Sequence, residues 1–120
     1  MAYVDGFVLP IPKRKLDTYR NIARQAGKLW KKMGALEYRE CVGDDLFPKG
    51  AYPFPKMARV KPGQTVVFAW IVFKSRAHRD RVNAKVMKDP RMHTLMENAD
   101  LTSFDMKRMA YGGFRVIVDL

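Results

Sequence analysis

The hydrophobic pattern of the first 33 residues predicts one strand followed by one long helix. Between Tyr3 and Pro12 the side chains are mostly apolar on both faces, which is typical of a strand covered on both sides. Across residues 13–33 the apolar positions recur every three or four residues, the spacing that places them on one face of a helix. These positions are Leu16, Tyr19, Ile22, Ala23, Ala26, Leu29, Trp30 and Met33. Gly34 follows and is expected to end the helix.

The middle of the chain predicts two strands separated by a long irregular insert. Residues 35–42 have a strand pattern, whereas residues 44–63 contain four prolines and read as a loop with one short element around residues 57–60. Residues 65–73, TVVFAWIVF, are β-branched and aromatic on both faces. We expect this last segment to be a central strand.

The remaining residues predict two helices and a final strand. Ser75 is placed to cap a second long helix, and Asp89 with Pro90 is expected to start a shorter third helix. The second helix is predicted to turn three apolar side chains inward: Val82, Val86 and Met87. The third has its apolar side formed by Met92, Leu95, Met96 and Ala99. The chain then ends in the strand-like segment YGGFRVIVDL.

The order strand, helix, strand, strand, helix, strand predicts an α+β fold of the ferredoxin-like βαββαβ type with an antiparallel sheet. We expect one domain over residues 1–120. In this plan the first and last strands are antiparallel neighbours. That placement explains why YVDGFVLPIP and YGGFRVIVDL are similar in composition.

The helices of such a fold cover only one face of the sheet. The other face would carry apolar residues from strands that include Phe7 and Trp70, which makes an exposed patch larger than soluble monomers usually tolerate. A second copy of the chain could cover this face, and we therefore predict a homodimer. The alternative is that the insert at residues 44–63 folds over the sheet.

The formal charge of +11 makes an acidic partner worth considering. Residues 13–32 hold eight basic residues and one acidic residue, and residues 74–91 hold seven basic and two acidic residues. Both segments are predicted helices without base-reading groups. Any binding to nucleic acid is therefore expected to be weak, salt-sensitive and without sequence preference.

The rest of the composition excludes several classes of protein. No apolar run approaches the roughly 20 residues needed to cross a bilayer, so no membrane partner is expected and a cytoplasmic location is predicted. One cysteine and two histidines give no recognisable metal-ligand spacing. We expect no metal and no cofactor, and we expect Cys41 to be a buried, inert thiol.

Several motifs together resemble the YbaA-like family of bacterial proteins of unknown function. They are YVDGFV at the start, Glu40-Cys41 followed by Asp44-Asp45, VVFAWI, HRDRVNAKVMKDPRM and FDMKRMAYGGF. The resemblance spans nearly the whole chain. It implies a dimeric α/β barrel in which two ferredoxin-like sheets pack face to face, and it implies no established activity. Proteins of this superfamily include monooxygenases and simple ligand binders, so fold alone does not decide the chemistry.

A candidate ligand site is predicted between the second long helix and the sheet. It comprises Arg79, Asn83, Arg91, Arg108 and Trp70. Three guanidinium groups can bind a carboxylate or phosphate, the asparagine can orient it, and the indole can wall an apolar part. The structural alternative pairs these cations with acidic residues: Asp5, Asp80, Asp89 and Asp105. Asp5 itself is expected to pair with Lys107 or Arg108 or to lie at the rim of the sheet.

Three functions remain open from the sequence. The first is a homodimeric barrel that binds a small organic, possibly anionic, ligand, with or without monooxygenase-like catalysis. The second is an RNA or polyanion binder that uses the basic outer faces of the helices. The third is a protein that serves by assembly alone.

Overall fold

A computed structural model describes residues 2–99 and 104–120 of the chain. It contains four strands, which we label β1 (Tyr3–Pro12), β2 (Glu37–Val42), β3 (Gln64–Phe73) and β4 (Ala110–Arg115). It also contains four α-helices, α1 (Leu16–Met33), α2 (Phe54–Met57), α3 (Arg76–Lys88) and α4 (Pro90–Asn98). Short 3₁₀ turns at Lys13–Lys15 and Met106–Arg108 precede α1 and β4.

The four strands form one antiparallel sheet in the order β2-β3-β1-β4. The long strands β1 and β3 pair along their whole length, from Tyr3 opposite Phe73 to Pro12 opposite Gln64. The predicted antiparallel pairing of the first and last strands is confirmed, since Tyr3 lies opposite Arg115 and Val8 opposite Ala110. The fold is therefore α+β with a four-stranded antiparallel sheet.

The core lies between one face of this sheet and the helices. Side chains of β1 and β3 that share this face, including Leu9, Ile11 and Phe73, are almost fully buried. From the helices, Val82 and Val86 of α3 pack into the same core. The alternating pattern of both strands therefore places every second residue toward the helices, as the pairing registers require.

Three local signals end or start the helices as predicted. Gly34 closes α1 with φ of 123°, a conformation that favours glycine. The Ser75 side chain accepts a hydrogen bond from the His78 amide at the start of α3. Asp89 accepts one from the Arg91 amide at the start of α4. These three helix boundaries do not depend on tertiary packing, because each is set by the conformation or hydrogen bonds of residues adjacent in the chain.

Several predicted details are wrong. Met87 is 53% exposed on α3, because the helix turns it away from the row formed by Val82 and Val86. The helix in the insert is Phe54–Met57 rather than residues 57–60. The final strand ends at Arg115, and the apolar residues after it, Ile117 and Val118, are exposed. The position of each of these segments depends on how it packs against distant parts of the chain, which the local sequence pattern does not specify.

The sheet face opposite the helices carries a second apolar surface, which we call the open face. Its members are Val4, Gly6, Val8, Pro10, Val66, Phe68, Trp70, Val72, Ala110, Gly112 and Phe114, with Glu37, Arg39 and Cys41 at one edge. The insert covers part of it, since the ring of Phe54 lies 6.2 Å from that of Phe68. Even so, Phe68 is 45% exposed and Phe114 is 60% exposed.

Asp5 is a charged residue inside the core. It lies in β1 and is 1% exposed, so the predicted positions at the sheet rim or beside Lys107 and Arg108 are wrong. Its Oδ1 accepts a hydrogen bond from Arg79 Nη1 at 2.9 Å. Its Oδ2 accepts bonds from Tyr111 OH at 3.2 Å and from Asn83 Nδ2 at 3.4 Å. A buried carboxylate is retained in a fold when it is paired and hydrogen-bonded in this way.

The same network continues into the first helix. Trp30 Nε1 of α1 donates a hydrogen bond to Asn83 Oδ1 at 3.0 Å. The Arg79 guanidinium also lies over the ring of Tyr3, 5.0 Å from its centroid, and its Nε is 2.9 Å from Asp80 Oδ1. Polar contacts around one carboxylate therefore join α1, α3, β1 and β4.

Replacing Asp5 with alanine is expected to lower the free energy of unfolding by about 3–5 kcal/mol, because Arg79 Nη1, Asn83 Nδ2 and Tyr111 OH would lose the carboxylate that accepts their hydrogen bonds. The matched control is Asp17→Ala, since the Asp17 side chain is 92% exposed and lies 3.7 Å from Arg20. That control should cost less than about 1 kcal/mol. Urea unfolding followed by circular dichroism measures both values, and equal losses would contradict the structural role of Asp5.

Candidate functional site

A groove of about 660 Å³ lies between α1 and β2, and we call it the α1–β2 groove. One wall is formed by α1 from Leu16 to Lys31, and the other by five consecutive β2 residues from Tyr38 to Val42. Val67 of β3 contributes to its lining.

Small residues of α1 bring the helix close to the sheet beside this groove. Ala23, Ala26 and Gly27 are buried on the inward side of the helix. A Cβ at Gly27 would lie 2.6 Å from ring carbons of Tyr38, so only glycine allows this approach without displacing the ring. The close contact places the aromatic ring of Tyr38 in the wall of the groove.

Four cations project from α1 along the groove. They are Arg20, Arg24, Lys28 and Lys31. Lys31 Nζ donates to the Leu36 carbonyl at 2.8 Å, and Arg20 lies 3.7 Å from the exposed Asp17. Within residues 2–99 and 104–120, Arg24 and Lys28 form no ion pair. Two charges are thus available to an anion in the groove.

A carboxylate and two phenols form the polar part of the groove. The Glu40 side chain accepts hydrogen bonds from the hydroxyls of Tyr19 and Tyr38, one on each carboxylate oxygen. Burial, the charge of Glu40 and these hydrogen bonds raise the pKa of both tyrosines above their usual value. Both phenols are therefore protonated donors at neutral pH, and they hold Glu40 in one orientation.

The structure brings together two of the five residues predicted for a ligand site. Arg79 and Asn83 share the Asp5 carboxylate inside the core. Arg91 lies elsewhere, with Nε and Nη2 bonded to Asp89 at 2.9 and 2.6 Å. These bonds and the Arg91 amide lower the pKa of Asp89 to about 2.

The other two predicted residues lie in separate places. Arg108 donates to the Ala58 carbonyl at 2.9 Å and to Asp105 at 3.2 Å, which ties the insert to the turn before β4. Trp70 lies on the open face, where its Nε1 donates to Glu37 Oε1 at 3.0 Å. Each of the three guanidinium groups thus contacts a carboxylate of the chain itself.

Sequence reasoning missed the α1–β2 groove. The sequence pattern places the basic residues of α1 on an outer helix face, although Arg20, Arg24 and Lys28 recur at every fourth position. The prediction that Cys41 is buried is also wrong, because the residue is exposed and lies opposite Phe68 on the open face. The signal that the sequence lacked is the packing of α1 against β2.

Two absences concern only the part of the chain that the structure describes. No described helix is long and apolar enough to span a bilayer. No three described His, Cys, Asp or Glu side chains are grouped so that they could hold a metal ion.

The fold and the groove define an α+β protein with a cationic groove at one edge of its sheet. A family model described as "Protein of unknown function (DUF1428)" matches residues 2–106, and the chain belongs to this family. The uncharacterized protein YbaA of Escherichia coli strain K12 is 42% identical over 119 residues, which are 99% of each chain. YbaA of Shigella flexneri has the same identity and coverage. The resemblance to YbaA-like proteins is therefore confirmed.

One solved structure is similar in overall shape. The de novo designed protein Foldit4 covers 97% of this chain and 99% of its own, with a TM-score of 0.47 and 10% sequence identity. Similarity at this level supports no inference about function.

The two groove tyrosines are expected to remain protonated in the folded protein well above pH 10, because their pKa values are raised. Raised values in the folded state mean that their stabilisation is complete below the unfolded value of about 10 and is lost as pH rises above it. Burial and the charge of Asp5 also raise the pKa of Tyr111. Absorbance at 295 nm should therefore show at least two fewer titrating phenols in the native protein than in urea, where all five tyrosines titrate.

The control for this titration is the double variant Tyr19→Phe/Tyr38→Phe. Its native titration up to pH 11 should match that of the wild type, because neither removed group ionises there. A native wild type that loses two more phenol protons than the variant near pH 10 would contradict the Glu40 hydrogen bonds.

Proposed function

We propose that the protein is a homodimeric, ferredoxin-like α/β barrel that binds a carboxylate-bearing organic ligand in the α1–β2 groove. The strand order β2-β3-β1-β4 and the helices on one face support the ferredoxin-like plan. The proposal assigns Arg79, Asn83, Arg91 and Arg108 to the ion pairs and hydrogen bonds that hold the fold.

The open face supports the dimer. It is apolar from β1 across β3 to β4, and large side chains such as Phe68 and Phe114 remain exposed after the insert has folded over part of it. Contiguous apolar patches of this kind usually mark an interface in soluble proteins. A second copy packed through the same face would bury them symmetrically, with Trp70 in the interface.

The observation that carries the ligand proposal is the presence of Arg24 and Lys28 in the wall of a groove of about 660 Å³. Neither side chain forms an ion pair with another described residue. This volume falls within the usual range for sites that bind small molecules, roughly 300–1,000 Å³. Arg and Lys side chains donate charge-assisted hydrogen bonds to carboxylates. The aromatic and aliphatic lining from Tyr38, Leu16 and Val67 can take the apolar part of a ligand.

The dimer predicts that charge introduced on the open face will dissociate the protein. Wild type is expected to sediment at twice the chain mass, whereas Phe68→Glu/Phe114→Glu should sediment as a monomer, because burying two carboxylates without partners is costly. The matched control, Met87→Glu, changes an exposed apolar residue of α3 and should leave the dimer intact. Analytical ultracentrifugation decides this, and a monomeric wild type at micromolar concentration would refute the dimer.

The ligand proposal predicts that a small polycarboxylate binds the groove. Citrate added at low salt should shift the amide NMR signals of β2 residues 38–42, and Arg24→Glu/Lys28→Glu should weaken this binding about tenfold, which corresponds to about 1.4 kcal/mol. The control, Arg81→Glu/Lys85→Glu, makes the same charge change with the same spacing on exposed positions of α3. An equal loss in both variants would show a general charge effect and no site.

A further inference from the structure

The α1–β2 groove opens along a free edge of the sheet. Strand β2 is terminal in the sheet and pairs only with β3. Consecutive residues from Tyr38 to Val42 line the groove, although alternate residues of a strand point to opposite faces. The groove must therefore include the outer backbone edge of β2. Within the described part of the chain, no strand and no loop backbone bonds to this edge.

The cations of α1 match the spacing of a strand. Residues four apart on a helix are separated by about 6 Å along its axis. Alternate residues of a strand, which share one face, are separated by about 6.7 Å. From Arg20 to Lys31 the row extends about 16 Å, which equals about five residues of extended chain. A peptide lying along β2 would meet one cation with every second side chain.

The contacts of the groove also give the position of each charge along β2. Gly27 approaches Tyr38, which places Lys28 near the Tyr38 end. Tyr19 bonds to Glu40, which places Arg20 toward the Val42 end. Glu40 lies between the two, and a like charge directly opposite it on a neighbouring strand would be unfavourable. The groove thus favours a ligand that has an acidic group at each end and an uncharged polar group between them.

We infer that the β2 edge binds an extended acidic peptide as an added strand, with two acidic residues four positions apart and a neutral polar residue midway between them. This inference rests on the proposed anion-binding function and names the class of its ligand. Backbone hydrogen bonds to β2 supply affinity, and the cations of α1 select the side chains. The other edge strand of the sheet, β4, has Arg115 as its only charged residue. A second copy of the chain that presented β4 to the groove would therefore bring a cation to the cations of α1.

The test uses a fluorescent peptide of about ten residues, rich in Thr and Val, with two glutamates flanking a glutamine at every second position. Anisotropy should report binding to wild type, and Arg20→Glu/Lys28→Glu, which reverses the two charges opposite the acids, should weaken it at least about tenfold. The control Arg81→Glu/Lys85→Glu should change it by less than about twofold, as is usual for distant surface charges. Hydrogen exchange should show the amides of Tyr38, Glu40 and Val42 protected only when the peptide is bound.

A second peptide separates strand addition from simple charge attraction. It has the same sequence, with N-methyl groups on the backbone amides that would face β2, so it keeps the charges and loses the donors. We expect it to bind at least about tenfold more weakly. Equal binding of both peptides would overturn the inference, as would edge protection in the protein alone, which would assign the edge to a second copy. A single-stranded RNA that binds more tightly than the peptide and is weakened by the same variant would also overturn it.

The citrate experiment distinguishes the two levels of the proposal. Citrate binding at the groove without peptide binding would overturn the added strand and leave the proposed function. Failure of both probes would refute the site itself.

Discussion

The buried carboxylate of Asp5 is the constraint on which the arrangement of the helices depends. A carboxylate that is 1% exposed must be compensated, and Arg79, Asn83 and Tyr111 each donate to it. Two of these donors lie on α3 and one on β4, so that the helix is held in one position above β1. Asn83 also accepts a hydrogen bond from Trp30, which fixes α1 relative to α3. Apolar packing alone, which is non-directional, would allow the helices more than one position on the sheet.

Because α3 is fixed in this way, α1 packs over β3 and β2. The side of α1 that faces these strands carries the small residues Ala23, Ala26 and Gly27. Gly27 permits the contact with Tyr38, and the helix then passes close to the edge strand. Its cations cannot enter the core without partners, so Arg24 and Lys28 remain on the groove side. The cationic groove is thus a consequence of where α1 can lie. The two basic helices differ accordingly, because Arg79 of α3 reaches the buried Asp5 carboxylate, whereas the cations of α1 lie along the groove.

The difference between prediction and structure is clearest at the charged residues. The sequence places Asp5 on the same strand face as Tyr3 and Phe7, which is correct, but it gives no reason to choose Arg79 over Arg108 as its partner. Arg108 instead ties the insert to the turn before β4. An ion pair between residues 74 positions apart depends on the crossing of α3 over β1. Periodicity within a segment contains no information about that crossing.

The sequence by itself determined the elements, their order and their ends, because these depend on local physics. Apolar runs on both faces specify β1 and β3, and the three-and-four spacing specifies α1. Gly34, Ser75 and Asp89 set helix boundaries through local backbone conformation or side-chain caps. Only the tertiary structure decided which cations pair with a carboxylate of the chain and which, among the described residues, lie along the β2 edge without an ion pair. That outcome depends on distances between segments far apart in the chain, which arise when the helices pack on the sheet.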